Sequence, residues 1–317
     1  MITVVCLNPA LDITHHVPAV DWRGVNRPSA VHARPGGKGL NVARTLRALG
    51  ADVLAMGLTG GITGAGVKSA LGELGVPCLF TRVGGETRRT FTVVDARGGD
   101  AAGFHEPGPR VSAEEFAGFF VTYEKALAES NAVVLSGSLP PGLPDSTYGS
   151  LIGRAAAAGV PAVLDAHGEA LLRGAAAGPQ IVKPNLAELE ALARQPLAAA
   201  HGAGHRAVAA AAGCLLDAGA HAVVVSLGAA GLLAATREGR WRARPPAPVA
   251  GNPTGAGDAV TAGLAHGLVL GQPWAERLRH AVALGTASAA APVAGEFSHD
   301  EYLHVLAGVT VHRDWGH

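Results

Sequence analysis

Four short stretches hold most of the residues in this chain that are equipped for chemistry. The first is Gly251-Asn252-Pro253-Thr254-Gly255-Ala256-Gly257-Asp258-Ala259-Val260, followed by Thr261-Ala262-Gly263. Small residues lead there into an apolar helix. The first backbone N–H groups of a helix have no intrahelical partner and lie at the positive end of its dipole, so such a turn suits a phosphate. Gly255 and Gly257 let the backbone approach an anion, and Asp258 is the one carboxylate placed beside it. The plainer alternative is that Asp258 is an ordinary first-turn acid favoured by the helix dipole.

The second stretch is Arg34-Pro35-Gly36-Gly37-Lys38-Gly39-Leu40-Asn41-Val42-Ala43. It is not a Walker P-loop, because Lys38 is followed by Gly39, and it is not GxGxxG. Its glycines fit a purely structural turn. They equally leave Lys38 and Asn41 free of steric bulk, as donors to a polyhydroxylated or anionic ligand. In the third, Lys183-Pro184-Asn185-Leu186-Ala187-Glu188-Leu189, Asn185 and Glu188 have the spacing of a capping box. The same pair can organise Mg²⁺ through its water shell, because magnesium keeps several waters. The fourth, Ser226-Leu227-Gly228-Ala229-Ala230-Gly231, is a strand end and turn. It serves either as a plain hairpin or as room for a nucleotide against the backbone.

These stretches need a scaffold. Strand-like apolar runs occur at Ile2–Leu7, Asp52–Leu58, Ala132–Ser136, Ala162–Asp165, Ile181–Lys183 and Ala222–Ser226. Helical patterns lie between them, at Gly39–Leu49, Gly66–Leu74, Glu114–Ser130, Tyr148–Ala158, Leu186–Ala193 and Arg206–Ala218. A last helical region, Gly257–Ala291, breaks near Gly271-Gln272-Pro273. The alternation predicts a parallel sheet with helices on both faces. Ile13–Arg34 and Arg89–Phe104 alternate polar and apolar residues with no helix between, and Thr90–Asp95 before Arg97-Gly98-Gly99-Asp100 reads as a hairpin. Two such antiparallel pieces predict a small accessory sheet. Gln195–His205 reads as a surface loop in which Gly202 and Gly204 disfavour a His201/His205 metal pair.

The chain has 317 residues, no formal net charge and 48% hydrophobic residues. That hydrophobic share supports a large core and excludes disorder as a class. A neutral chain lacks the basic excess of a nucleic-acid binder, and no nucleic-acid partner is expected. Cys6, Cys78 and Cys214 show neither disulfide nor zinc spacing, which fits buried thiols in a reducing compartment. Ala218–Thr236 carries no formal charge but contains glycines and a Val223-Val224-Val225 run; it reads as strand, turn and strand, not a membrane span. Met1–Leu7 lacks a basic flank and reads as a first strand, so a cytoplasmic location is expected.

Taken together and in this order, the four stretches resemble the ribokinase-like sugar kinases of the PfkB family, over nearly the whole chain. GGKGLNVAR and PTGAGDAVTAG look like that family's two diagnostic motifs. Leu7-Asn8-Pro9-Ala10-Leu11-Asp12, Gly85-Glu86-Thr87-Arg88 and Ser136-Gly137-Ser138-Leu139-Pro140-Pro141-Gly142 resemble its branch of ketohexose-phosphate kinases, which includes 1-phosphofructokinase, the minor 6-phosphofructokinase and tagatose-6-phosphate kinase. The resemblance implies one ribokinase-like domain over residues 1–317, a three-layer α/β/α fold with a β lid from about 12–34 and 88–107. It implies ATP and Mg²⁺, a sugar phosphate as substrate and a homodimer through the lid. Asp258 would be the base, with the backbone of Gly255, Ala256, Gly257 and Asp258 as the anion hole. Asp12, Gly37 and Asn41 would hold the sugar, while Arg88, Lys38, Ser138 and Arg27 would bind its phosphate. Lys183, Ser226, Gly228 and Gly231 would contact the nucleotide, and Asn185 and Glu188 the magnesium through water.

Within that branch the residues point two ways. Gly103 stands where the minor 6-phosphofructokinases resembled here carry a phosphate-binding arginine, and Lys38 where they tend to have glycine. Gly60-Gly61-Ile62-Thr63-Gly64 and Phe297-Ser298-His299-Asp300 look like those enzymes instead. The expectation is phosphorylation of fructose 1-phosphate to the 1,6-bisphosphate. Fructose 6-phosphate or tagatose 6-phosphate as substrate is the alternative, and a catalytically silent sugar-phosphate-binding protein is the alternative of another class.

Overall fold

The first strand, β1 (Ile2–Cys6), is buried along its entire length, and that already requires cover on both faces. The computed structural model describes residues 1–98, 101–197, 202–249, 254–291 and 295–313. Gly99-Asp100 of the hairpin turn, His201 and Gly251-Asn252-Pro253 lie outside the described residues, as does the side chain of His205.

From the N-terminus, β1 is followed by β2 (Ala10–Val17), β3 (Ala30–Gly36), α1 (Lys38–Ala48), β4 (Val53–Thr59), α2 (Gly61–Glu73) and β5 (Cys78–Arg82). Next come β6 (Arg88–Asp95), β7 (Ala101–His105), α3 (Ala113–Leu127), β8 (Ala132–Ser136), α4 (Thr147–Ala157), β9 (Ala162–Asp165) and α5 (Gly168–Ala175). The chain continues through β10 (Ile181–Val182), α6 (Leu186–Ala193), α7 (Gly202–Ala218), β11 (Ala222–Ser226), β12 (Leu232–Thr236) and β13 (Gly239–Arg244). It closes with α8 (Ala256–Val269), α9 (Trp274–Ala290), α10 (His299–Gly308) and β14 (Thr310–Arg313).

Ten strands form one sheet in the order β14-β13-β12-β11-β10-β9-β8-β1-β4-β5. From β11 to β5 every pairing is parallel, while β12, β13 and β14 add an antiparallel edge. Side chains alternate between two cores. Ile2, Val4, Val134 and Val224 join Leu40, Val67, Val260 and Leu278 on one face. Val5, Val133, Leu135, Val223 and Val225 join Phe119, Tyr148, Leu171 and Val208 on the other. The result is the expected three-layer α/β/α arrangement. Among the described residues no helix is long and apolar enough to cross a membrane.

A second sheet has four strands in the order β3-β2-β6-β7. The two expected antiparallel pieces are its β2–β3 and β6–β7 pairs, and β2 joins them by pairing parallel to β6 from Ala10↔Arg88 to Val17↔Asp95. Helix α2 packs against β2 and β3.

Several elements differ from expectation. Helix α2 starts at Gly61, five residues before the expected Gly66, because Glu86 from the loop ahead of β6 accepts the Thr63 N–H at 2.6 Å and satisfies the helix start from outside. β5, α5, β13, α10 and β14 were not anticipated. The expected break between α8 and α9 is present, with Gly271 at φ 65° and Pro273 as the N-cap of α9. The parallel strands β1, β8, β9, β10 and β11 all release their C-terminal ends at one edge of the sheet, the edge where ligands of such sheets bind.

Candidate active site

Helix α8 begins on Gly255, whose backbone is left-handed at φ 86°. Only glycine adopts that conformation without strain. The turn presents the first N–H groups of α8, and its N-cap, being glycine, has no side chain to cap them. Asp258 sits in this first turn and is buried. Its Oδ2 accepts a hydrogen bond from Asn41 Nδ2 at 2.8 Å. Burial raises the Asp258 pKa to about 7, and the nearby charge of Asp165 pushes the same way. The Asn41 hydrogen bond and the ammonium groups of Lys38 and Lys183 offset only part of this. A carboxyl tuned to that range is matched to accepting a proton near neutral pH.

Below it lies a charged floor centred on Asp165, the last residue of β9. Asp165 Oδ1 is 3.1 Å from Lys38 Nζ, and Oδ2 is 3.1 Å from Lys183 Nζ and 2.8 Å from the donating Thr261 hydroxyl. Burial alone would raise the Asp165 pKa, but these partners outweigh it and hold it down to about 2. Lys183 is itself buried and reaches the backbone of the α8 turn: a β-carbon on Gly257 would sit 3.6 Å from its Nζ. Burial would lower the Lys38 pKa, yet Asp165, Glu188 and Asp258 raise it on balance.

Asn185 and Glu188 do form the capping box of α6. Asn185 Oδ1 accepts the Glu188 N–H at 2.8 Å, and Glu188 Oε2 accepts the Asn185 N–H at 2.9 Å. The other Glu188 oxygen takes Lys38 at 3.1 Å. A backbone bridge sets Asn185 beside Ser226. Asn185 and Ser226 line a cleft of about 570 Å³ with Gly228, Gly231, Ala256 and Gly257. Its remaining wall is apolar, from Leu232, Pro245, Val249, Val260, Val282 and Ala289, and suits a flat heteroaromatic base. A magnesium ion beside Asn185 and Glu188 would keep most of its waters, with the partnered side-chain oxygens of both residues accepting from them.

A third group surrounds Arg88 at the start of β6. Its Nε donates to the Asn8 carbonyl at 3.1 Å and one terminal nitrogen to the Glu106 carbonyl at 3.3 Å. Asn8 Nδ2 donates to the Pro107 carbonyl and to Ser138 Oγ, at 3.0 and 3.1 Å. Its Oδ1 is buried with no hydrogen-bond partner, an unmet polar atom beside Arg88 and Ser138. Gly108, at φ 97°, closes this corner so tightly that a β-carbon would lie 2.2 Å from Asn8 Oδ1. Asp12 receives the Thr90 hydroxyl across the β2–β6 pair and packs on Gly36.

The structure thus brings together Asp258, Asn41, Lys38, Lys183, Asn185 and Glu188, and separately Arg88 with Ser138. Gly37 (φ 92°) turns the chain into α1 against Cys6 and Pro9. Two placements differ from the sequence expectation. Lys38, expected beside Arg88 on a substrate phosphate, is bonded to Asp165 and Glu188, because a buried carboxylate such as Asp165 demands a counter-charge. Arg27 lies exposed between β2 and β3, with no hydrogen bond to the other candidates among the described residues. Asp165, Thr261 and Asn8 went unread in the sequence. The one signal for Asp165 was an acid closing an apolar strand, Ala162-Val163-Leu164-Asp165.

Comparison with known proteins gives the family. A 1-phosphofructokinase of Xanthomonas campestris pv. campestris is 38% identical over 270 residues, covering 84% of this chain and 83% of the relative. The crystal structure of phosphofructokinase-2 from Escherichia coli in complex with fructose-6-phosphate superposes with a TM-score of 0.85 at 32% identity, over 97% of this chain and 98% of that one. Arabidopsis thaliana ribokinase complexed with ribose and ATP shares the fold, with a TM-score of 0.74 at 21% identity over 96% and 98% of the two chains. The description of the pfkB family carbohydrate kinases matches residues 4–300. The glycine-opened helix and its buried carboxyl thus stand on a ribokinase-like sheet, and the chain belongs to the pfkB family of carbohydrate kinases.

Proposed function

We propose that this kinase transfers the γ-phosphoryl group of ATP to the free primary hydroxyl of fructose 1-phosphate, giving fructose 1,6-bisphosphate. One observation carries the reading: Asp258, with a pKa near 7, stands in the open first turn of α8 beside a nucleotide-sized cleft. The Asp258 carboxylate accepts the proton of the sugar hydroxyl. The hydroxyl oxygen attacks the γ-phosphorus, the bond to the β–γ bridging oxygen breaks, and ADP leaves. Backbone N–H groups of Gly255, Ala256, Gly257 and Asp258 face the charge that builds on the transferring oxygens, with Lys183 beneath them. Asn185 and Glu188 would hold the Mg²⁺ of Mg-ATP through its waters, and the ion would supply charge neutralisation on the phosphates. Ser226, Gly228 and Gly231 bound the nucleotide cleft.

Arg88, Asn8 and Ser138 support a phosphorylated substrate, since a guanidinium held by two carbonyls retains donors in a planar fork for a phosphate. Asp12 and Asn41 are placed for sugar hydroxyls. The 1-phosphofructokinase relative favours fructose 1-phosphate, as do Gly103 in β7 and Lys38. The likeness to the fructose-6-phosphate complex of phosphofructokinase-2 favours fructose 6-phosphate as the second reading.

The four-stranded sheet acts as a lid that excludes water from the reacting groups. Ile13, Val31, Phe91 and Phe104 share one of its faces by register, and Val31 and Phe104 are each 54% exposed. That apolar face supports a homodimer through the lid. Three free cysteines support a reducing, cytoplasmic location.

The test is ADP release with Mg-ATP against fructose 1-phosphate, fructose 6-phosphate, tagatose 6-phosphate, fructose and ribose. Preference for fructose 1-phosphate supports the proposal. Preference for either 6-phosphate replaces the substrate, and turnover of none of them leaves a silent binding protein.

A further inference from the structure

Lys38 opens α1, and its side chain crosses to two carboxylates that other elements supply. Its Nζ lies 3.1 Å from Asp165 Oδ1, at the end of β9, and 3.1 Å from Glu188 Oε1, in the first turn of α6. Asp165 is fully buried, and its second oxygen is already held by Lys183 and Thr261. The Lys38 side chain is 34% exposed, so this end of the cluster opens to solvent. Two ammonium groups thus face two carboxylates, and the charges balance. Without Lys38, Asp165 would keep Lys183 and Glu188 would lose its ion pair, with the Asp258 carboxyl within range of Asp165 and Lys183. Surplus negative charge on oxygen atoms, reachable by water and beside a phosphate-binding turn, attracts a hydrated divalent cation. As the chain stands, the described residues contain no group of three or more His, Cys, Asp or Glu arranged to hold a metal ion.

We propose that Lys38 is a tethered cation filling the place between Asp165 and Glu188 that a free divalent ion would otherwise occupy. The protein then uses the divalent ion that arrives with the nucleotide and gains nothing from a second one. The inference rests on the kinase reading only where turnover is measured; the arrangement of charges stands without it.

The first measurement needs no turnover. Wild type, Lys38→Ala, Lys38→Met and Lys38→Arg are titrated with MnCl₂ in the absence of nucleotide, and bound Mn²⁺ is read from the loss of the free-ion EPR signal. Lys38→Ala and Lys38→Met gain a Mn²⁺ site that wild type lacks. Lys38→Arg, which keeps the charge, gains none, and Lys38→Ala combined with Glu188→Gln loses the site again. Lys38→Met retains the aliphatic stem, so it answers the question even where Lys38→Ala unfolds. The second measurement raises free Mg²⁺ at constant Mg-ATP. The wild-type rate stays flat, while that of Lys38→Ala climbs about tenfold or more, the worth of one charge-assisted contact. Absence of new Mn²⁺ binding in both neutral variants, or a wild-type enzyme stimulated by free Mg²⁺, overturns the inference. Gained Mn²⁺ binding without turnover of any sugar would uphold it and sink the kinase reading instead.

Discussion

Asn41 gives its side-chain amide to Asp258 at 2.8 Å, so the carboxylate of α8 is aimed by a residue of α1. Asn41 is in turn held from behind: its Oδ1 accepts from Arg44, which also pairs with Glu296. The base of the proposed reaction therefore has one oxygen committed to Asn41 and, among the described residues, the other left for a substrate proton.

Replacing that base removes the proton acceptor without altering the shape of the turn. Asp258→Asn lowers kcat by about 10²–10⁴, the usual worth of a positioned base, with KM for the nucleotide near wild type. Steady-state kinetics on the preferred sugar phosphate check this. A kcat within a few-fold of wild type would remove Asp258 from the role.

The same variant has a stability signature of definite sign. The folded pKa of Asp258, about 7, lies above its ordinary value of 3.8. The carboxyl's stabilising contribution is complete below the ordinary value and lost as pH rises through 7. At pH 8 the buried charge costs up to roughly 4 kcal/mol, so Asp258→Asn melts higher than wild type there and not at pH 4. Thermal unfolding of both proteins at the two pH values decides it.

Catalysis should follow the opposite limb. Only the ionised carboxylate accepts a proton, so kcat/KM rises with pH through about 7 and then levels. The Asn41 hydrogen bond lowers the Asp258 pKa, and Asn41→Ala therefore moves that limb to higher pH. Activity then recovers toward wild type at pH 9 more than at pH 7. A pH–rate profile that loses height without shifting would mean that Asn41 orients the carboxylate but does not tune it.

Arg88→Ala is expected to act on binding. Losing a charge-assisted hydrogen bond costs about 1.5–3 kcal/mol, so KM for the sugar phosphate rises roughly 10–150-fold while KM for ATP holds. Gly108→Ala tests the same corner from the backbone side. Its β-carbon would collide with Asn8, whose carbonyl anchors Arg88, so it raises the same KM and also lowers Tm. A change in KM for ATP alone would place the phosphate site elsewhere.

Much of this architecture was legible because burial on both faces writes continuous apolar strands into the chain, as in Val133-Val134-Leu135 and Val223-Val224-Val225. The glycine-opened helix was legible too, since a left-handed Gly255 and an acid three positions later leave a local trace. What stayed hidden is non-local. Asp165 looks like any acid at a strand end, and its importance appears only when Lys38, Lys183 and Thr261 converge on it. Lys38 shows the converse: its neighbours in sequence suggested a phosphate ligand, but its partners are 127 and 150 residues away. The edge strand β13 did carry an alternating pattern, Gly239-Arg240-Trp241-Arg242-Ala243-Arg244, whose three arginines masked its strand character. Helix α10 also went unread, although Ser298 at its start is a cap residue whose side chain accepts the Glu301 N–H.

Asn41 and Asp258 stand 217 positions apart in the sequence. Closing so long a loop is slow and comes after local helices have formed. A nascent chain still lacking its last hundred or so residues can fold early strands and helices, yet it owns no base for Asn41 to orient. ATP is therefore safe from a half-made enzyme, and competence arrives all at once, when the C-terminal helices dock onto a sheet that was begun at the other end.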